Sequence, residues 1–298
     1  MPTLAEKNPG WDFPRLPTEK KNELVAHEFE KLLAMDASNM NPDHFEFARS
    51  DANKEKNRYA NIFPFNWNVW PTPGSSPHYI GGSVIPRQLG GFDASVSVPH
   101  EFVASHAPLP NQLVDWYELM RGSGCKLVVM LTAEVEGGMT KADAYWPKDN
   151  TPLKVGDGTV VVEHLEHLGQ QQGVVLRHLR YERPGYEAHR MQQVHYMQWP
   201  DFGVPTNIDG FLEVLKVVQQ TPGDYPIFTH CSAGVGRTGT LITAYHAMEL
   251  AKKGMLQTSS NFNIVSELKR LRWGMVQRRE QYGFIFTCVS ALLAKTEA

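Results

Sequence analysis

The sequence predicts a single α/β domain. A middle section with the alternating pattern of strands lies between segments whose apolar residues recur at helical spacing. Of the 298 residues, 42% are hydrophobic, which is enough to fill a sizeable core. A chain of this length could form two average domains, but no repeat, linker or shift in composition supports a boundary between them.

The N-terminal part is expected to contain an arm followed by a helix. Residues 1–18 hold four prolines and predict an extended arm, which leaves residues 19–298 as the folded domain. From residue 19 to residue 33 the apolar side chains recur at helical spacing, and this pattern predicts the first helix.

A short helix and two loops are expected next. Asn41 and Pro42 supply an N-cap and a proline at the first helical position for a short helix around residues 45–48. Residues 54–58 form a basic cluster, which in isolation is more typical of a solvated loop than of a binding site. Residues 70–82 are rich in turn-forming residues and predict a surface loop.

The rest of the chain predicts the sheet and the helices that cover it. KLVVML, residues 126–131, is a continuous apolar run typical of a buried strand. Three further segments alternate as half-exposed neighbouring strands do, over residues 158–168, 173–183 and 189–198. Four helices are then expected, over residues 209–220, 238–253, 262–272 and 281–293. Asp209 is expected to cap the first of these helices, and Gly254 to end the second.

Composition narrows the class of protein. The net charge of −3 gives no general attraction for nucleic acid or for anionic membranes. The three cysteines include no CxxC pair, so neither a disulfide framework nor a zinc knuckle is expected. No apolar run approaches the ~18 residues of a membrane span, and the N-terminus lacks the apolar core of a signal peptide. We expect a soluble, cytoplasmic protein and a monomer, with neither nucleic acid nor a membrane as its partner.

The stretch YPIFTHCSAGVGRTGT, residues 225–240, concentrates the chemistry of the chain. It contains GVGRTG, which fits a dinucleotide loop, but such a loop requires a second strand and an acidic residue about 20 positions further on. The MLQTSSNFN segment that follows offers neither. A Walker loop requires lysine before Ser/Thr, whereas Arg237 precedes Thr238 here. A metal site is disfavoured because His230 and Cys231 are adjacent and no second cluster of metal ligands lies nearby.

The residues from Cys231 to Arg237 instead suit a tetrahedral phosphate dianion. Consecutive backbone N–H groups at a helix N-terminus form a cradle for such an anion, and glycines let the backbone curl without Cβ clashes. Arg237 can close the cradle with a planar fork of donors. The loop residues expected to bind phosphate are Ser232, Ala233, Gly234, Val235 and Gly236.

The same loop makes Cys231 a candidate nucleophile. The positive field of a helix N-terminus and a neighbouring cation lowers the pKa of a cysteine thiol and favours the reactive thiolate. Cys125 and Cys288 lie in apolar sequence, so they are expected to be buried and slow to react.

Cys231-Ser-Ala-Gly-Val-Gly-Arg237-Thr238 resembles the Cys-x5-Arg-Ser/Thr signature of the protein tyrosine phosphatases, in particular the tyrosine-specific cytosolic type. Further resemblances to family motifs are KNRY (56–59), FVASHAPLPN (102–111), EGGMTKADAYWP (136–147), WPDFGVP (199–205) and GMVQRREQY (274–282). The motifs follow the family's order along nearly the whole chain. They imply an α/β domain with a highly twisted mixed sheet flanked by helices, with residues 19–298 as the catalytic domain. They also imply hydrolysis of phosphotyrosine in proteins.

The resemblance implies a catalytic role for each matching residue. Cys231 would attack phosphorus to form a cysteinyl phosphate, while Arg237 and the loop N–H groups bind the phosphate oxygens. Asp201 would act first as general acid and then as general base. Gln277 would position the attacking water, with Gln281 as a secondary water contact.

Supporting roles follow from the same resemblance. Thr238 would hydrogen-bond the departing thiolate, and His230 would tune the loop from beneath. Glu136 would pair with the loop arginine, and Lys141 would reach toward the loop that carries the acid. Tyr59 would stack on the substrate ring, in a pocket too deep for phosphoserine or phosphothreonine. No cofactor or metal is expected.

Several departures from the family pattern bear on peptide selectivity. Asn61 stands where the family usually has an aspartate that holds the substrate backbone. The segment that resembles YINAS reads YIGGS (79–83), and Trp273 is bulky enough to narrow a secondary binding groove. These departures suggest a divergent branch of the family, with a protozoan origin as one expectation.

Two other functions compete with this interpretation. A catalytically dead phosphotyrosine-binding module typically lacks the cysteine, the arginine or the acid, yet Cys231, Arg237 and Asp201 are all present. A dual-specificity phosphatase has a shallower pocket, and the segments KNRY and GMVQRREQY argue against it.

Overall fold

The computed structural model describes residues 3–92, 96–149, 151–169, 173–200 and 203–295. The helices in these ranges are α1 (Leu4–Lys7), α2 (Thr18–Ser38), α3 (Glu46–Arg49), α4 (Leu113–Ser123), α5 (Asp209–Gln220), α6 (Gly236–Lys252), α7 (Ser260–Leu271) and α8 (Arg279–Lys295). The strands are β1 (Val69–Trp70), β2 (Gly82–Ile85), β3 (Phe102–Ser105), β4 (Leu127–Met130), β5 (Val135–Glu136), β6 (Met139–Thr140), β7 (Leu153–Val155), β8 (Gly158–Leu168), β9 (Val174–Glu182), β10 (His189–Tyr196) and β11 (Ile227–His230). None of the helices in the described ranges combines the length and apolar character needed to cross a bilayer.

One mixed sheet organises the fold, with strand order β1-β2-β3-β11-β4-β10-β9-β8-β7. The central strands β3, β11, β4 and β10 run parallel to one another. The outer strands pair in antiparallel fashion. Thr229 in β11 lies opposite Ala104 of β3 and Val129 of β4, which fixes the register at the centre. Because parallel strands end at one edge, the segments after β4, β10 and β11 come together there.

Helices cover both faces of the sheet. On one face α6 is buried along most of its length, and α2, α5, α7 and α8 contribute to the same core. On the other face Trp116, Tyr117 and Met120 of α4 pack with Val128 and Tyr181 of the sheet. Since β11 lies between these two cores, its four residues are all buried, including the polar Thr229 and His230.

The expected elements of the middle and C-terminal sections are confirmed. The strands β4, β8, β9 and β10 occupy the four segments predicted as strands, and each end of α5 to α8 lies within two residues of its predicted position. The expected short helix is a 3-10 turn, Pro42–Phe45, that continues into α3, and the Asn41 side chain caps it as predicted. The sequence did not predict β2, β3 or α4. The two strands have only four residues each, too few to establish a period.

The N-terminal segment is not the extended arm that its prolines suggested. Residues 4–7 form α1, and residues 13–15 form a 3-10 turn. Trp11 and Phe13 are buried against Phe286 of α8, with ring centroids 5.6 and 4.3 Å from it. These two aromatic side chains hold the segment on the core, because the apolar area they bury outweighs the tendency of the prolines to keep the chain extended.

The two predicted helix ends differ in outcome. The prediction that Asp209 caps α5 is wrong, because Asp209 is the first helical residue and Asn207 Oδ1 accepts its N–H at 2.9 Å. The prediction for Gly254 is confirmed, since it follows α6 with a φ of 72°. Beyond it, Met255 N–H donates to the Leu250 carbonyl at 3.0 Å, as in a Schellman helix end.

Six histidines are buried in the described core, namely His100, His106, His189, His195, His230 and His246. Burial lowers the pKa of all six. The pKa falls to about 4 for His106, His195 and His246 and to about 3 for His230. In an unfolded chain each would titrate near pH ~6.5. The folded protein therefore keeps these rings neutral at pH values where the unfolded chain takes up protons.

We expect the free energy of unfolding to fall as the pH drops from about 6.5 toward 4, because the unfolded state then binds more protons than the folded state. Each histidine with a pKa near 4 or below contributes up to about 1.4 kcal/mol per pH unit in this window. Urea titrations near neutral pH and about one and two pH units below it measure this slope.

A pair of variants isolates one histidine. His246→Phe should reduce the pH slope by about one proton, since His246 Nε2 is buried without a hydrogen-bond partner in the described residues. The control is His164→Gln, which removes a histidine whose side chain is 61% exposed. Equal slopes for the His246 variant and the wild-type protein would contradict the interpretation.

Candidate active site

The loop of residues 231–235 joins the centre of the sheet to α6. It lies at the carboxyl edge of the parallel strands and at a helix N-terminus, where backbone N–H groups are left without helical partners. Gly234 has a φ of 71°, and a Cβ on it would lie 1.9 Å from the Ser105 carbonyl oxygen. Only glycine meets both conditions. The turn brings Gly234 N–H to 3.3 Å from the Cys231 sulfur.

Each carbonyl group of this loop accepts a hydrogen bond from outside the cradle. The pairs are His230 Nδ1 to Cys231 O (2.9 Å), Ala107 N to Ser232 O (3.0 Å), Arg272 Nη2 to Ala233 O (3.3 Å), Arg272 Nε to Gly234 O (2.9 Å) and Gly239 N to Val235 O (2.8 Å). In a trans peptide the C=O and N–H groups point to opposite sides. Because the carbonyls are held outward, the loop N–H groups face the cavity.

Cys231 is only 5% exposed, yet the pKa of its thiol lies below the ordinary value. Burial acts to raise this pKa, but the charge of Arg237 and hydrogen bonds from Thr238 and Val235 outweigh it. The Thr238 hydroxyl is buried, and no nitrogen or oxygen atom in the described part of the chain hydrogen-bonds to it. The environment therefore favours a thiolate on Cys231. In contrast, burial raises the pKa of Cys125 to about 12 and that of Cys288 well above its ordinary value.

Arg237 forms a two-pronged ion pair with Glu136. Nη1 lies 2.6 Å from Oε1 and Nη2 lies 2.8 Å from Oε2. Burial acts to raise the pKa of Glu136, but the hydrogen bonds and charge of Arg237 outweigh it and hold the pKa below its usual value. Arg237 Nη1 also donates to the Leu131 carbonyl at 3.2 Å. This pair fixes the plane of the guanidinium at the mouth of the loop.

A cavity of about 410 Å³ opens onto this cluster. Its lining includes Tyr59, Asn61, Glu136, Lys141, Cys231, Ser232, Ala233, Gly236, Arg237, Gln277 and Gln281. These residues come from the segment before β1, from β5, from the residue after β6, from the loop after β11 with the start of α6, and from the segment before α8 with its first turn. The fold therefore brings together most of the residues that the sequence singled out. In the described residues no group of three or more histidine, cysteine or acidic side chains is arranged to hold a metal ion.

Comparison with known proteins agrees with this geometry. A family model described as protein-tyrosine phosphatase matches residues 53–291. The chain belongs to the protein-tyrosine phosphatase family. It is 30% identical over 282 residues to rat tyrosine-protein phosphatase non-receptor type 20, covering 92% of this chain and 62% of that relative. The chain thus spans less than two thirds of the length of the first curated relatives it matches.

Two solved structures of trypanosomal tyrosine phosphatases are similar to nearly the whole chain. The Trypanosoma brucei enzyme is 35% identical, with 99% of this chain and 98% of that chain covered and a TM-score of 0.85. The Trypanosoma cruzi enzyme is 32% identical, with 97% and 99% covered and a TM-score of 0.84. These similarities confirm the expected family, its mixed sheet flanked by helices, and its likeness to protozoan members.

The segment KNRY (56–59) is anchored to the rest of the site. Ser232 Oγ donates to the Lys141 carbonyl at 2.6 Å, and Tyr59 Oη lies 2.7 Å from Ser232 Oγ. Because the serine hydroxyl has one proton, the tyrosine must donate to it. Arg58 donates to the Ala107 carbonyl at 2.9 Å and pairs with Asp143 at 2.6 Å. The basic cluster is therefore more than a solvated loop, because Arg58 bonds to the segment after β3 and to Asp143.

Gln277 and Gln281 differ in their surroundings. Gln277 is exposed and lines the cavity. Gln281 is buried, and its Oε1 accepts the N–H groups of Gln277 and Arg278 at 3.0 and 3.2 Å. Gln281 thus caps the start of α8 and sets the position of Gln277. Trp273 Nε1 donates to the Asp36 carbonyl at 3.2 Å, which holds this indole beside the same segment.

Asp201, the expected general acid, lies outside the described residues. Its described neighbours Pro200 and Gly203 line the cavity. The Pro200 carbonyl oxygen lies 3.4 Å from Arg237 Nη2, and Trp199 Nε1 donates to the Gly203 carbonyl at 3.2 Å. The two ends of the segment that carries the acid therefore meet the loop arginine and the cavity wall.

Two buried residues beneath the loop complete the site. His230 Nδ1 donates to the Cys231 carbonyl, so Nε2 is the acceptor that the Tyr145 hydroxyl reaches at 2.8 Å. The sequence did not single out Arg272, which is fully buried and also donates to the Gly81 carbonyl at 2.9 Å. Burial lowers the pKa of Arg272 to about 10. No sequence signal separates it from its basic neighbours in KRLRW, because only packing decides which cation faces inward.

We expect Cys231 to react with iodoacetamide or peroxide before the other two cysteines. Its thiol pKa is lowered, whereas those of Cys125 and Cys288 are raised by burial, and the thiolate is the reactive form. Mass spectrometry after brief treatment identifies the modified residue, and dithiothreitol should reverse mild oxidation. Inorganic phosphate should slow the modification. Earlier labelling of Cys125 or Cys288 would show that the field of the loop does not activate the thiol.

Proposed function

We propose that this chain hydrolyses phosphotyrosine in proteins through a cysteinyl-phosphate intermediate. The observation that carries the proposal is a cysteine with a lowered thiol pKa, surrounded by inward-facing N–H groups and by the Arg237–Glu136 pair. A phosphate dianion suits this cradle in charge and in shape. Family membership supports the same reaction class.

In the first step Cys231 attacks phosphorus in line with the bond to the leaving oxygen. The new S–P bond forms as the P–O bond breaks, and its electron pair goes to the phenolic oxygen. That oxygen has a pKa of about 10 as free phenol, so it leaves more readily if it receives a proton from Asp201. Arg237 and the loop N–H groups bind the three equatorial oxygens and stabilise the charge of the transition state.

In the second step water attacks the cysteinyl phosphate. Gln277 positions the water, Asp201 accepts its proton, and the S–P bond breaks to release phosphate and the thiolate. Thr238 stabilises that thiolate, and Gln281 contributes by holding Gln277 in place. His230 is not the proton carrier, since both its ring nitrogens are engaged and burial lowers its pKa to about 3.

Tyr59 recognises the aromatic ring of the substrate. Its hydroxyl is tied to Ser232, so the ring stands as a wall of the cavity beside the phosphate loop. By resemblance to the family, this wall makes the pocket deep enough to favour the long phosphotyrosine side chain over phosphoserine and phosphothreonine. Lys141 lines the same cavity and would approach the loop that carries the acid. We further propose that residues 19–298 form the catalytic domain and that it works as a cytoplasmic monomer without metal or other cofactor.

We expect turnover of a phosphotyrosyl peptide, and little turnover of matched phosphoserine and phosphothreonine peptides, in the presence of a metal chelator. The reason is that the thiolate supplies the nucleophile and the pocket selects the long aryl phosphate. Phosphate release from the three peptides measures the selectivity. Loss of activity with chelator, or equal rates on the three peptides, would rule out this mechanism.

Two variants separate the roles within that reaction. Cys231→Ser should abolish turnover while phosphate still binds, because the loop N–H groups and Arg237 remain. Asp201→Ala should lower the rate by about 10²–10⁴, the usual contribution of general acid–base catalysis. The loss should be larger on phenyl phosphate than on nitrophenyl phosphate, whose leaving group needs less protonation. Equal losses on both substrates would remove Asp201 from the acid role.

We expect Asn61→Asp to raise kcat/KM for phosphotyrosyl peptides by a factor equivalent to about 1–2 kcal/mol. A carboxylate would accept charge-assisted hydrogen bonds from the peptide backbone, about twice as strong as those to a neutral amide. Turnover of nitrophenyl phosphate, which has no backbone, should barely change. The measurement is the ratio of the two kcat/KM values in both proteins. An unchanged ratio would leave Asn61 with a purely structural role.

A further inference from the structure

A buried polar chain behind the active site leads to Glu136, and its other members have no role in the mechanism above. It begins at Arg177 on β9, passes through His195 on β10 and the Thr132 turn after β4, and ends at Glu136. His195 and Thr132 are almost completely buried. Since buried polar groups are costly unless paired, a connected chain of this kind points to a requirement for fixed geometry.

His195 is held in one tautomer by its two partners. Nε2 lies 2.8 Å from the Thr132 carbonyl oxygen, which can only accept, so Nε2 carries the hydrogen. Nδ1 lies 3.3 Å from Arg177 Nη1, which can only donate, so Nδ1 is the acceptor. Arg177 is itself fixed by Gln193 Oε1 at 2.9 Å and by the Trp146 ring at 4.6 Å. Burial lowers the pKa of His195 to about 4, which keeps the ring neutral near pH 7.

The contact of His195 with Thr132 reaches Glu136 through a single peptide unit. The Thr132 carbonyl and the Ala133 N–H belong to the same trans peptide, so they lie in one plane and point in opposite directions within it. The carbonyl accepts from His195, and Ala133 N–H donates to Glu136 Oε1 at 3.2 Å. The Thr132 hydroxyl donates to the same oxygen at 2.9 Å. His195 and Glu136 thus hold one rigid peptide group at its two opposite edges.

The same turn also contacts the end of β11, just before the phosphate loop, and the arginine of that loop. Leu131 N–H donates to the His230 carbonyl at 2.9 Å, and the Leu131 carbonyl accepts from Arg237 at 3.2 Å. If the Thr132–Ala133 plane rotated, Glu136 would lose the Ala133 donor and the plane would leave buried groups unpaired. Glu136 could then no longer hold the Arg237 fork in one orientation.

We propose that His195, in the Nε2–H tautomer selected by Arg177, is a positioning residue that orients the Thr132–Ala133 peptide so that Glu136 holds Arg237 in its phosphate-binding geometry. Its effect on turnover depends on the proposed phosphatase activity. Its effect on phosphate binding does not, because binding requires only the loop and Arg237.

The chain provides a matched control for this proposal. His189 lies on the same strand, is buried, and has Nε2 at 2.8 Å from the Cys125 carbonyl oxygen. Burial also lowers its pKa. The Cys125 carbonyl lies before β4, whereas the Thr132 turn, which contacts Glu136, follows that strand. Loss of His189 should therefore weaken the fold in a similar way without disturbing Glu136.

The experiment compares His195→Leu, His195→Gln and His195→Asn with His189→Leu. Titration calorimetry measures the affinity for inorganic phosphate, nitrophenyl phosphate gives kcat and KM, and thermal unfolding reports stability. We expect His195→Leu to weaken phosphate binding and to lower kcat/KM by about 10-fold, the size expected when a buried hydrogen bond is lost. His189→Leu should retain phosphate affinity within about 2-fold, even if its melting temperature falls as far as that of His195→Leu.

The amide variants keep the test decisive if the leucine variant does not fold. Glutamine can place its amide N–H near the position of Nε2, so His195→Gln should bind phosphate nearly as the wild-type protein does. Asparagine is one methylene shorter and should not restore the bond to Thr132. Equal phosphate affinity in the Gln and Asn variants, or equal weakening in His195→Leu and His189→Leu, would overturn the proposal. A wild-type protein that binds phosphate but hydrolyses no phosphotyrosine would contradict the proposed function alone.

Discussion

The active site depends on the outward orientation of five consecutive carbonyl groups in the phosphate loop. A backbone can present a row of N–H groups to an anion only if the carbonyls on the opposite side find donors, since buried carbonyls are costly when unpaired. Here the donors come from His230, from the segment at Ala107, from Arg272 and from the first turn of α6. The buried surroundings of the loop can therefore be understood as a scaffold that supplies these donors.

Electrostatics at the site follow from the same arrangement. Inward N–H groups and Arg237 outweigh the burial of Cys231, so a nearly inaccessible sulfur still has a lowered thiol pKa. Arg237 in turn has its orientation fixed by Glu136, whose own carboxylate is satisfied by the turn after β4. A buried ion pair contributes little to stability on balance. Its value here is orientation, because a planar fork that is fixed in advance needs no reorganisation when charge develops on the phosphate.

Much of the fold followed from local pattern, and the failures have identifiable causes. Long segments with strong periodicity, such as β8 to β10 and α5 to α8, were predicted with nearly correct ends. Short buried strands at the sheet centre, such as β3, have too few residues to show a period. The N-terminal segment departs from the extended form that its prolines favour because two aromatic side chains in it pack against α8. For Asp209, the competing asparagine two residues earlier supplies the capping oxygen.

The sequence by itself determined the phosphate loop, because Cys231, the glycines and Arg237 lie within one turn and their relation is set by local backbone geometry. The partners of that loop were decided only by the tertiary structure. Glu136 is 101 positions from Arg237, and the Tyr59 hydroxyl meets a serine 173 positions away. Arg272 and His195 carry no local signal that distinguishes them from surface cations or ordinary core histidines. His195 becomes part of the site because the parallel strands end at one edge of the sheet, which brings β10 beside the turn after β4. Arg272 becomes part of it because α7 packs so that the residue directly after it reaches the carbonyls of the phosphate loop.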